Sequence, residues 1–315
     1  MQQSIGRPRT GAFLRRLRGH WQIYIMALPT VALLFCFNYM PMFGSILAFK
    51  KQFKPALGIW NSPWISPWYR NFLALRSADA MRAIRNTLSL NLMFIAVGTL
   101  FALSLALAFN EVRHSAYKKF TQSLSFLPHF ISTVVIGIFA SGLLNYENGS
   151  INGLLSSLGY EKIAFYMEPR YWPVILLIVT LWKSAGYNSV VYLATIAGID
   201  AELYEAAKID GANRWDEMLH ISLPMLRPTV IVLTLLSVGR IMNADFGLFY
   251  NVTQDMPALY SATDVIDTYV YRLLRLQGNI GISTAVGLFQ SVISFALVML
   301  SNAAARKIDD SAALF

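Results

Sequence analysis

The chain has 315 residues, of which 56% are hydrophobic and 14% charged, with a mean hydropathy of +0.48. A water-soluble domain carries about a quarter charged residues, so this composition excludes an ordinary soluble domain and points to an integral membrane protein. The net charge of +9 does not imply nucleic acid, because the basic residues sit in short segments beside apolar runs, where they set topology and meet lipid headgroups.

Residues 1–22 form a basic segment carrying Arg7, Arg9, Arg15, Arg16 and Arg18. The apolar run Ile23–Phe43 follows. At about 20 residues it is longer than the apolar stretch of a secretory signal, and no small-x-small cleavage pattern comes after it, so it reads as a retained first transmembrane helix. Five further runs reach the ~20-residue length a bilayer requires: Thr87–Phe109, Phe120–Leu144, Tyr171–Ile196, Met225–Phe249 and Ile282–Ala305. The predicted fold is an all-α integral membrane protein with six transmembrane helices across residues 23–305. An even number puts both termini on one side. The basic N-terminal flank assigns that side to the cytoplasm, with residues 306–315 as a cytoplasmic tail.

The first outer segment, Gly44–Asn86, holds Trp60, Trp64, Trp68 and Tyr69 among prolines, a composition suited to the headgroup layer. Asn71 to Arg85 then reads as an amphipathic helix, with Phe72, Leu75, Met81 and Ile84 opposed by Arg76, Arg82 and Arg85. Such a segment is an interfacial anchor or a docking surface for an external protein. In the second span Gly98, Ala102 and Ala106 recur at four-residue steps, a stripe of small residues that lets another helix approach closely. Pro128 predicts a kink or a break in the third span.

The fourth span carries a polar run, Trp182-Lys183-Ser184-Ala185-Gly186-Tyr187-Asn188-Ser189, and Gly186 permits local unwinding. Polar groups at membrane depth are costly, so these serve either interhelical hydrogen bonds or a water-filled substrate pathway. The outer end of the fifth span has a similar cluster: Arg240, Asn243, Asp245 and Phe246, then Tyr250. Aromatic rings beside amides and a carboxylate suit a sugar, the rings stacking on pyranose faces and the polar groups bonding hydroxyls. Beyond it, Asp264 to Leu274 has amphipathic helical spacing and is expected to lie flat on the outer surface.

Between the fourth and fifth spans lies a polar loop, about 199–224, expected in the cytoplasm. Asp200 is a suitable N-cap for the run Ala201-Glu202-Leu203-Tyr204-Glu205-Ala206-Ala207-Lys208. Gly211 sits where that helix would end, and Asn213 can cap a second helix from Arg214 to His220. Ala206 and Ala207 keep one surface thin, Leu203, Tyr204 and Trp215 offer apolar contact, and Glu205 and Asp210 offer charge. The result is a short rigid knob able to enter a groove on another protein.

Glu205-Ala206-Ala207-Lys208-Ile209-Asp210-Gly211-Ala212, followed by Ile221-Ser222-Leu223-Pro224, resembles the cytoplasmic signature loop of permease subunits in binding-protein-dependent ABC importers. Within that superfamily the chain is most similar to the carbohydrate branch: the larger maltose-type permease and the permeases for oligosaccharides and polysaccharides such as alginate. The six-span layout, the long first outer segment, the Asn110-Glu111 ending of the second span and the terminal span share the likeness. Met218 stands where an aromatic is usual, and Met fills an apolar groove equally well. The resemblance implies a complex in the bacterial inner membrane. A second permease completes the pore, two ABC ATPase subunits grip the knobs, and an extracytoplasmic solute-binding protein delivers the substrate. It implies ATPase coupling through Tyr204, Glu205, Ala206, Ala207, Asp210, Gly211, Ala212, Trp215, Leu223 and Pro224. Sugar contacts in related pores match Trp182, Tyr187, Asn243 and Phe246, to which polarity adds Asn188 and Asp245.

The chain has no Gly-x4-Gly-Lys-Ser/Thr run, so it is not expected to be an enzyme. No cofactor is expected in this chain, and ATP and Mg belong to the partner ATPases. Cys36 is the sole cysteine, and His20, His114, His129 and His220 lack metal-ligand spacing, so no metal site is expected. Two other readings compete. An ion-coupled secondary transporter would need buried carboxylates as coupling sites, and Asp245 is the one candidate. A membrane scaffold without transport leaves the polar fourth span without a purpose.

Overall fold

The computed structural model describes residues 21–308. The N-terminal arginines and the tail after Ile308 lie outside the described residues. All regular elements among the described residues are helical, apart from one isolated bridge between Lys50 and Trp64. Five helices are long and apolar enough to cross a membrane, and a sharply bent pair makes up to six.

The first, α1 (Trp21–Phe49), runs longer than the predicted span and has no buried residue before Ala48. Next comes α2 (Ala78–Glu111), capped by the Ser77 hydroxyl, which accepts the Ala80 N–H. That cap corrects the expected helix over Asn71–Arg85. Arg70–Arg76 is a separate 3-10 turn, the chain breaks at Ser77, and residues 78–85 are the first turns of α2.

The third span is broken as Pro128 predicts. It divides into α3 (Ser115–Phe130) and α4 (Thr133–Leu144), bent by 98°. By contrast α5 (Pro169–Ala197) is unbroken through Gly186, so the local unwinding that a glycine permits is not used there. A Cβ on Gly186 would collide with the backbone carbonyl of Ser125, so the glycine serves close approach of α3 to α5. The predicted stripe behaves unevenly. Ala102 and Ala106 are buried against Tyr192, Ile196 and Leu226, whereas Gly98 faces open space.

In the loop, α6 (Ala201–Ile209) is followed by α7 (Arg214–Gly239). The second loop helix and the fifth span are thus one helix, joined through a π-turn at Met218–Ser222. This span ends ten residues before the predicted Phe249. Residues 240–245 are non-helical, and the predicted outer end is a separate helix, α8 (Phe246–Thr253). A further helix, α9 (Ile266–Arg275), matches the expected amphipathic segment, but it packs on α2 and α10 (Ile280–Ile308) and buries Ile266 and Leu273.

The core has three parts. One cluster near the bend joins α4, α8 and the start of α5 around Trp172, whose indole N–H donates to the Phe165 carbonyl at 2.7 Å. A second joins α2, α9 and α10 around Met242. The third lies toward the loop and joins α2, α5 and α7.

Candidate functional site

The loop between α5 and α7 forms a compact projection. Asp200 caps α6 through the Glu202 N–H at 3.1 Å. Gly211 has φ +83°, a left-handed conformation that costs a side chain strain, and it lets Ala212 N–H return to the Ala207 carbonyl at 2.9 Å. Asn213 and Asp216 form a reciprocal capping box at the start of α7. Glu205, Ala206, Asp210 and Trp215 are exposed on this projection, Trp215 at 70%. So is Ile209, at 87%, which the sequence argument passed over.

The base of the projection is tied to the bundle. The Tyr204 hydroxyl hydrogen-bonds the buried Ser222 hydroxyl at 2.9 Å. Arg214 lies 3.2 Å from Glu111 at the end of α2. Both ionic partners are partly exposed, so the pair sets position and adds little stability. Tyr204 therefore points inward, apart from the exposed Glu205 and Trp215. Leu223 and Pro224 sit at the base, within the unbroken α7.

Further along α7 lies a cavity of about 520 Å³ between α2, α5 and α7. Three predicted pathway residues, Tyr187, Asn188 and Asn243, line it together with Asn91, Ser184 and Arg240. The Tyr187 ring stacks on His129 at 4.2 Å between centroids. The other three predicted residues stand elsewhere. Trp182 lines a separate apolar cavity with Phe101, Leu124 and Pro128. Asp245 caps α8 through the Leu248 N–H and lies 3.5 Å from Lys183. Phe246 belongs to an aromatic trio, 5.1 Å from Tyr250 and 4.9 Å from Tyr271.

The break at 240–245 shapes one end of this cavity. Non-helical backbone at membrane depth persists only where its polar groups are satisfied. Here side chains satisfy them. Asn91 donates to the Ile241 carbonyl at 2.7 Å, and Gln290 to the Met242 carbonyl at 2.7 Å and the Asn243 side chain at 2.7 Å. Asp267 accepts the Ala244 N–H at 2.8 Å. Burial pushes the Asp267 carboxyl above its ordinary value, against the opposing effect of these hydrogen bonds. Asn91 and Gln290 escaped the sequence argument, although a lone amide in an apolar run is itself a signal of a polar role at that depth.

Residues 98–310 match the family described as binding-protein-dependent transport system inner membrane component. The chain is 36% identical over 289 residues to the polygalacturonan/rhamnogalacturonan transport system permease protein YteP of Bacillus subtilis, covering 90% of this chain and 88% of that one. Its fold resembles a chain in the crystal structure of a bacterial ABC transporter involved in the import of the acidic polysaccharide alginate. There the TM-score is 0.86 at 35% identity, over 95% of this chain and 99% of that one. A second structure, a bacterial alginate ABC transporter in complex with an alginate pentasaccharide-bound periplasmic protein, gives 0.83 at 34% identity over 93% and 97%.

Proposed function

The chain belongs to the binding-protein-dependent transport system inner membrane components, as a multi-pass permease of a carbohydrate ABC importer, and on that premise we propose that it forms half of an oligosaccharide pore driven through its knob. The knob lies in the cytoplasm with both termini. Each of two ATPase subunits, which hold ATP and Mg, grips one knob. A second permease covers the unpartnered apolar surface of α1 and completes the pore. An extracytoplasmic binding protein, of the kind present in the alginate complex, delivers the sugar.

One observation carries this reading: knob and cavity share a helix. The 26 residues of α7 make a rod of about 39 Å at 1.5 Å per residue, with Trp215 near one end and the cavity wall at the other. Displacement of the knob when ATPases close therefore reaches the cavity as movement of its lining. An ion-coupled transporter is less well supported, because Asp245 is occupied as a helix cap and ion-pair partner and no carboxylate lines the cavity among the described residues.

Glu205→Lys and Gly211→Val test the knob. Each is expected to release the ATPase on purification or to leave ATP hydrolysis running without uptake. Intact co-purification with full uptake in both variants overturns the assignment.

A further inference from the structure

Arg240 is the one charged residue lining the cavity. Among the described residues no carboxylate stands within ion-pair distance of it, while the nearby cation of the fourth span, Lys183, is paired with Asp245 at 3.5 Å. The other polar groups around Arg240 are neutral, among them Asn91, Ser184, Asn188 and Asn243. The Thr180 hydroxyl, also in this wall, is buried and has no hydrogen-bond partner. Arg240 is exposed to the cavity, and its planar donors fit a carboxylate in two parallel hydrogen bonds.

We propose that Arg240 recognises the carboxylate of an acidic sugar, so that this cavity favours uronate-containing oligosaccharides over neutral ones. The inference rests on the permease reading and names the substrate class for its cavity. One guanidinium pairs with one carboxylate of the chain. Neutral amides then serve the sugar hydroxyls, which both kinds of saccharide share. Discrimination falls to Arg240 alone.

The test uses the assembled transporter in nanodiscs without its binding protein, so that the binding protein's own selectivity does not enter. The probes are radiolabelled tetragalacturonate and its carboxyl-reduced, neutral counterpart. The wild type is expected to bind the uronate at least about tenfold more tightly, a difference of about 1.4 kcal/mol. Arg240→Gln should abolish most of that preference, and Arg240→Lys should keep part of it. A second measurement needs no variant: raising salt should weaken uronate binding and spare the neutral analogue. Equal wild-type affinities, a preference unchanged in Arg240→Gln, or binding of neither saccharide overturns the proposal. ATP-driven uptake by the same complex in proteoliposomes, with the binding protein now supplied, reports the permease function separately. Equal uptake of both saccharides ends the charge inference and leaves the permease reading standing, whereas uptake of neither ends both.

Discussion

A methyl group at Gly186 has nowhere to go, and one at Gly98 meets nothing within 4 Å. Gly186→Val is therefore expected to push α3 off α5, at a cost of about 1–3 kcal/mol or more from overpacking. It should lower the melting temperature of the detergent-purified protein, while Gly98→Ala should leave it within error. Equal melting of the two variants would contradict the packing described here. The sequence exposes both glycines but not this difference, because a four-residue step marks a stripe and says nothing of what crosses it. Trp182 shows the same blindness. It is five residues from Tyr187 on α5, and the helical turn between them sends the two rings into different cavities.

At the scale of elements, the departure from expectation is the end of α7. Hydropathy continues past Gly239, so a span reaching Phe249 was the natural reading of the run. What breaks the helix lies far away in sequence: Asn91, Gln290 and Asp267 supply the hydrogen bonds that helix continuation would have supplied. Tertiary partners of that kind leave no local trace, whereas caps do. Asp200, Gly211 and Asn213 act through their immediate neighbours, and the helix–turn–helix of the knob was legible from them alone.

Gln290→Leu removes the donor to the Met242 carbonyl and strands a buried acceptor, which costs about 1–3 kcal/mol. Thermal melting should fall accordingly, and an unchanged melting curve would show that the break is held by something else. Asp267 adds a pH dependence. Its native carboxyl titrates above the ordinary value of 3.8 because burial disfavours the charge. The native state therefore binds the proton more readily than the unfolded chain. The resulting stability is present below the ordinary carboxylate range and is lost as pH rises through the raised native value. Asp267→Asn is expected to flatten the melting temperature between those two limits. A slope equal to wild type would assign the dependence to another group.

At the scale of the whole molecule, α7 is held along one side by α5 and α10, and Thr195 of α5 meets Thr229 of α7 with hydroxyls 3.2 Å apart. Cysteines at these two positions, in a Cys36→Ser background, should form a cross-link that stops the two helices from sliding. Uptake is expected to cease on oxidation and return with reductant, while the ATPase stays bound throughout. Full uptake with the cross-link formed would show that α7 does not move against α5. The six-span plan was readable because each span repeats one composition over a bilayer's length. The 98° bend was legible only as a break at Pro128, since its angle is set by what the two halves rest on.

Those two halves rest on different things. One half, α4, packs against α8, while the other, α3, packs against α5. The chain is likewise cut between α7 and α8 at residues 240–245. Two adjacent elements are thus jointed near the same level, and the parts beyond the joints hold each other. A push arriving along α7 need not be copied by the α4–α8 pair. On the permease reading proposed above, the two ends of the pathway can then move in turn, which separates an airlock from a leak.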